Sequence, residues 1–254
     1  MNFIELFYLF FASIIAGALN SVAGGGSFFT FPALLSVGVP PVSANATNAT
    51  VVWPGSIASL VVYRKEMLSG HKGFIISLSI VSLIGGIIGA VLLLSTPQKV
   101  FSEIVPFLLL FATLLFTFNK QISKLLGDHP FKFSENNPSI VVPAIVQFLI
   151  SVYGGYFGGG MGVMMLSAFR FFAIKDIHFA IGLKLILDVL ITGISVAIFI
   201  FAKAIVWKFV PLMVIGTIIG GYGGAYFARK LPQKYIYYFI SIVGFSLSLY
   251  FFIK

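Results

Sequence analysis

The chain has 254 residues, 59% of them hydrophobic and only 9% charged, against roughly a quarter charged in soluble domains, so a water-soluble globular fold is excluded. Its 16 Lys and Arg outnumber 7 Asp and Glu for a net charge of +9, but they cluster between apolar runs as topology determinants do, which argues against nucleic acid as a partner. Zero cysteines exclude disulfides and thiolate metal sites, and three scattered histidines predict neither a metal centre nor a cofactor.

In chain order, the predicted elements begin with Phe3 to Val22, whose apolar stretch follows Glu5 rather than a basic region, so no cleavable signal peptide is expected. Then come Phe28 to Val37, Ala44 to Tyr63, Gly73 to Leu94 and Val100 to Phe118. A polar connector over 120–138 separates residues 1–119 from residues 139–254. The second part repeats the order with Ile140 to Phe157, Val163 to Ile174, Ile177 to Phe201, Phe209 to Ala228 and Tyr235 to Ile253. A bilayer crossing needs about 20 apolar residues, so the short second piece of each part is predicted to be a half-helix beside a break.

The repetition is visible in the residues. Ile84-Gly85-Gly86-Ile87-Ile88-Gly89-Ala90, running on to Pro97-Gln98-Lys99, returns 135 positions later as Ile219-Gly220-Gly221-Tyr222-Gly223-Gly224-Ala225 and Pro232-Gln233-Lys234, with 8 of 16 positions identical. These glycines lie at helical spacing and are read as close helix-packing positions. The runs Gly24-Gly25-Gly26 and Gly158-Gly159-Gly160 differ. Each glycine costs a helix about 1 kcal/mol relative to alanine, so both runs predict broken helices. Two related halves with corresponding breaks are the signature of a secondary transporter. With each broken pair treated as a hairpin that does not cross, the loop Lys and Arg divide ten against four. With one crossing per pair they divide nine against five. The first arrangement fits the positive-inside rule better. The expected fold is therefore an all-α integral membrane protein of two inverted repeats, each a broken or re-entrant helix hairpin plus three transmembrane helices, with both termini outside.

Polar residues inside apolar segments mark the candidate site, because each needs a partner or a cavity there. Val42 to Thr50 carries five hydrogen-bonding side chains, among them Asn45, Thr47 and Asn48. Aligned at an offset of 136, Asn48 falls on Lys184. Lys184 and Asp188 are spaced i,i+4, and two readings stay open. One is a closed structural ion pair. The other has Lys184 offering charge to an anion, with Asp188 orienting it or carrying a proton. Arg170 is either an attractor of anions or a snorkelling side chain. Asn20 and Ser21, just before the first glycine run, satisfy broken backbone or touch substrate. Trp53-Pro54 is read as packing and kink. Helix N-termini at Gly24, Gly25 and Gly26 and at Gly158, Gly159 and Gly160 carry partial positive charge, so the site is expected to prefer a small anion.

The stretch Ala23-Gly24-Gly25-Gly26-Ser27, then Phe31-Pro32-Ala33-Leu34-Leu35, Val39-Pro40-Pro41 and Ala44-Asn45-Ala46-Thr47-Asn48, resembles the signature of the sulfite exporter TauE/SafE family, also called the toluene sulfonate uptake permeases. Gly154-Gly155-Tyr156-Phe157-Gly158-Gly159-Gly160-Met161-Gly162 is similar to that family's second glycine run. The resemblance covers essentially the whole length. It implies transport of sulfur anions such as sulfite, sulfoacetate or other sulfonates across a prokaryotic cell (inner) membrane. Leu183-Lys184 departs from the family's threonine-asparagine pattern. The direction of flux, a coupling H+ or Na+ and a homo-oligomer all stay open. A passive small-anion channel on the same scaffold is the alternative. An enzyme is not expected, because no His-Glu-x-x-His, no Gly-x-Ser-x-Gly and no paired intramembrane carboxylates occur.

Overall fold

A computed structural model describes residues 3–22, 24–63, 72–118, 121, 140–172, 174 and 176–228, together with 242, 245, 246 and 249. Among these residues the chain forms nine helices and no strand: α1 (Phe3–Val22), α2 (Ser27–Ser36), α3 (Pro41–Val62), α4 (Lys72–Ser95), α5 (Gln98–Thr117), α6 (Val141–Tyr156), α7 (Met161–Phe171), α8 (Ile177–Phe201) and α9 (Val210–Ala228). These follow the predicted segments to within a few residues. The largest differences are of three residues, at the end of α7, which stops at Phe171 rather than Ile174, and at the start of α3, which begins at Pro41. Proline at the first helical position has its φ already set and lacks an amide that the helix could not bond there. α8 starts as predicted, because Asp176 accepts from the amides of His178 and Phe179 as its N-cap. The predicted last helix, all but four residues of it, the connector apart from residue 121, and most of the loop Lys and Arg lie outside the described residues.

Four helical stretches, Phe3–Ser21, Lys72–Ser95, His178–Phe201 and Val210–Phe227, are long and apolar enough to cross a membrane. α3 matches them in length but buries Asn45, Thr47, Asn48, Thr50, Ser56 and Ser59, so its polar groups point into protein rather than lipid. The outward faces are apolar, as with Ile76, Ile80, Ile84, Ile87 and Val91 along α4.

Packing is reciprocal between the halves. α1 lies on α9 as α6 lies on α4, α3 packs on α9 as α8 packs on α4, and α3 and α8 meet each other. The repeated glycines make these contacts close. A Cβ on Gly220 would run into the Ile14 carbonyl of α1, and one on Gly85 would sit 2.8 Å from the Phe148 carbonyl of α6. This is the packing role expected of both groups. Ser59 donates to the Gly221 carbonyl at 3.1 Å, while Ser195, 136 positions later, donates to the Gly86 carbonyl at 3.4 Å. Trp53, on the face where α3 meets α8, donates from Nε1 to the Val189 carbonyl at 3.0 Å, again across 136 positions.

Candidate functional site

Both glycine runs break the chain. α1 stops at Val22 and α2 starts at Ser27; α6 stops at Tyr156 and α7 starts at Met161. Gly24, Gly158 and Gly160 have φ of 79°, 77° and 78°, a left-handed conformation open to glycine at little energetic cost. The two breaks also touch. A Cβ on Gly24 would lie 2.5 Å from the Cα of Gly162, and one on Gly26 would lie 2.6 Å from the Ala16 carbonyl, because the chain doubles back on α1.

A cavity of about 30 Å³ opens beside these breaks. Its polar wall is Asn20 of α1, Ser27 at the start of α2, Asn45 and Asn48 of α3, and Asp188, Thr192 and Ser195 of α8. Gly158, Phe157 and Met161 close it from the second break. The residues from α3 and α8 recur at three, four and seven positions, so each helix presents one face. Ser27 and Met161 are the first residues of α2 and α7, and the opening amides there reach back to the glycine runs, Phe28 and Phe29 to the Gly25 and Gly26 carbonyls and Met161 and Val163 to the Gly158 and Gly160 carbonyls, which leaves the positive ends of the two helix dipoles at the cavity. The wall therefore combines two helix N-termini with amides, hydroxyls and one carboxylate.

The charged pair does not close on itself. Lys184 is 0% exposed and Asp188 5%, so each needs strong partners. The Lys184 ammonium donates to the backbone carbonyl of Asn20, which also accepts from Gly24 N at 3.2 Å. Asp188 Oδ2 accepts from Ser56 Oγ at 2.7 Å and from Asn20 Nδ2 at 3.2 Å, and Oδ1 accepts from Thr192 Oγ1 at 3.4 Å. Asn20 thus bridges lysine to aspartate, with its main chain on one and its side chain on the other. In the other half, Asn45 Nδ2 donates to the Tyr156 carbonyl at 2.9 Å. Each half's polar helix start therefore caps the broken helix of the other half. Asn48 donates to Ser27 Oγ at 3.0 Å and accepts from Thr30 Oγ1, which ties α3 to the first break. Tyr153 Oη donates to the Gly159 carbonyl at 2.6 Å and steadies the second.

Of the candidate residues, Asn20, Asn45, Asn48, Gly158 and Asp188 line the cavity. Gly24, Gly25, Gly26, Gly159 and Gly160 shape the breaks behind it. Ser21 bonds the Ala18 carbonyl, and Thr47 accepts from Val206 N at 2.9 Å while donating to the Ser43 carbonyl. Lys184 caps α1 and is not part of the lining. Arg170 belongs to α7, and its side chain lies outside the described residues. Ser27, Ser56, Thr192 and Ser195 were not singled out from the sequence. The i, i+4, i+7 spacing of Asp188, Thr192 and Ser195 was the available signal.

The family model described as sulfite exporter TauE/SafE matches residues 9–251. A probable membrane transporter protein, ORF9, of Sinorhizobium sp is 30% identical over 96% of this chain and 91% of its own. A probable membrane transporter protein of Haemophilus influenzae is 28% identical, covering 94% and 91%. The probable membrane transporter protein YfcA of Escherichia coli strain K12 is 25% identical, covering 94% and 87%. No solved structure gives a significant match.

Proposed function

We propose, from the premise that the chain belongs to the sulfite exporter TauE/SafE family, that this membrane transporter is a secondary carrier. It moves small sulfur-containing anions, such as sulfite, sulfoacetate or other organosulfonates, across the cell (inner) membrane by alternating access. Residues 1–119 and 139–254 act as inverted multi-pass repeats around re-entrant hairpins.

The observation that carries this reading is the cavity at the meeting of the two breaks, walled by the first residues of α2 and α7. The positive dipole ends at helix N-termini favour anions without bringing in a mobile cationic side chain. At about 30 Å³ the space has room for two or so water molecules, at about 10–15 Å³ each. A sulfonate needs more room, so the lining must move to admit one, as a carrier's does and an open pore's need not. Met161, Phe157 and Phe199 supply the apolar part of the wall, against which the carbon of an organosulfonate packs.

Uptake of labelled sulfite and organosulfonates into proteoliposomes tests the substrate class, and counterflow tests the mechanism. Saturable uptake stimulated by unlabelled anion on the far side is the expected result. Uptake without that stimulation indicates a channel, and preference for ammonium or sodium over every sulfur anion ends the anion reading.

A further inference from the structure

Most donors in the cavity wall are already engaged. Asn20 gives its side-chain amide to Ser56 and Asp188, Asn45 to Tyr156 and Asn48 to Ser27. Ser195 turns its hydroxyl toward the Ile191 carbonyl at 2.8 Å, and Thr192 gives its own to Asp188. Beside one amide N–H each on Asn45 and Asn48, lone pairs are what remain. Asn45 Oδ1 is buried with no hydrogen-bond partner, and the one donor to Asp188 Oδ1 stands at 3.4 Å. Lys184 is fully buried and turned to Asn20, so the charge facing the cavity is the Asp188 carboxylate. Left as it stands, that carboxylate repels the anion drawn to the two helix N-termini.

We propose that Asp188, with oxygens from Thr192, Ser195 and Asn45, forms a sodium site, and that sodium bound there permits the anion to bind beside it. The inference rests on the transport reading above and adds the coupling ion and its ligands. Carboxylate, hydroxyl and amide oxygens suit a small hard cation. Among the described residues no three His, Cys, Asp or Glu side chains gather, so the donor set is not that of a transition metal. A proton on Asp188 would satisfy one acceptor, whereas a cation engages several at once. Broken helices that line a buried polar cavity are also where transporters place coupling ions.

The test uses purified full-length protein at fixed pH and fixed chloride, with sodium replaced by potassium or choline. Sodium raises the melting temperature saturably, and the other two do not. Asp188→Asn abolishes the rise. Thr192→Val, which keeps the carboxylate and its bonds to Ser56 and Asn20, shifts the sodium midpoint upward roughly tenfold, the equivalent of one lost ligand. Sulfite then stabilises the protein at several-fold lower concentration in sodium than in choline. No sodium effect, or one that survives both substitutions, overturns the site. An equal sulfite response in sodium and choline overturns the coupling and leaves the anion reading standing. A sodium response with no response to any sulfur anion upholds the cation site and removes the proposed substrate.

Discussion

In the first half, α3 mends the broken end of α6 with a neutral amide, Asn45 on the Tyr156 carbonyl. In the second half, α8 mends the broken end of α1 with an ammonium, Lys184 on the Asn20 carbonyl. An amide can cap a buried carbonyl by itself, but a buried ammonium needs a countercharge. At the repeat offset of 136, Lys184 stands where the first half has Asn48, and Asp188 stands where it has Val52. Two substitutions on a nearly reciprocal scaffold thus give the cavity one acidic wall and one neutral wall. Ser56 and Thr192, also 136 apart, both donate to Asp188. The carboxylate therefore draws on equivalent hydroxyls from the two halves.

The comparison breaks most visibly if the countercharge is removed. Asp188→Leu leaves Lys184 buried without its carboxylate and should destabilise the protein by about 3–5 kcal/mol in denaturation. Copying the first half into the second, with Lys184→Asn and Asp188→Val together, should recover most of that loss while ending sodium stabilisation. If the double variant is no more stable than Asp188→Leu, the pair is not the coupled unit described. Next in size are Gly85→Val and Gly220→Val, each forcing a side chain into a facing helix. Both should cost about 1–3 kcal/mol or more, with Gly220→Val the larger, because its Cβ would meet the Ile14 carbonyl more closely than that of Gly85 meets the Phe148 carbonyl. A larger loss at Gly85 than at Gly220 would show that the two glycine seams are not packed as described. Asn48→Ala leaves Ser27 and Thr30 without their shared partner, at about 1–3 kcal/mol. Asn45→Ala removes a single bond, at about 1 kcal/mol. The smallest effect belongs to Trp53→Phe, which deletes the bond to the Val189 carbonyl and should lower stability by roughly 1 kcal/mol without changing the anion midpoint.

Much of this was legible because membrane helices are punctuated strongly. Apolar runs ending at glycine, proline or charge gave nine helices nearly to the residue, and consecutive glycines marked breaks that no other composition explains. The repeat offset also aligns Asn48 with Lys184 from the residues alone. The partner of Lys184 was not legible. Asp188, one turn away in sequence, is the obvious choice, whereas the bonded carbonyl belongs to Asn20, 164 positions away, among the last carbonyls of α1, which the helix itself leaves unbonded. Ser56, Thr192 and Ser195 were hidden for a different reason. A serine or threonine in a helix can satisfy its own hydroxyl on the carbonyl four residues back, as Ser195 does on Ile191 and Ser59 on Gly55. Such residues carry little signal of need, whereas asparagine, lysine and aspartate in an apolar segment do.

The central claim is that the anion sits in the hollow between the two breaks. A density map of the protein with a heavy-atom-labelled organosulfonate, in the presence of sodium, tests it most directly. The account predicts label density bounded by Ser27, Asn48, Gly158 and Met161, with the sulfonate oxygens toward the starts of α2 and α7. Density at any other place, with this cavity unchanged, would contradict it.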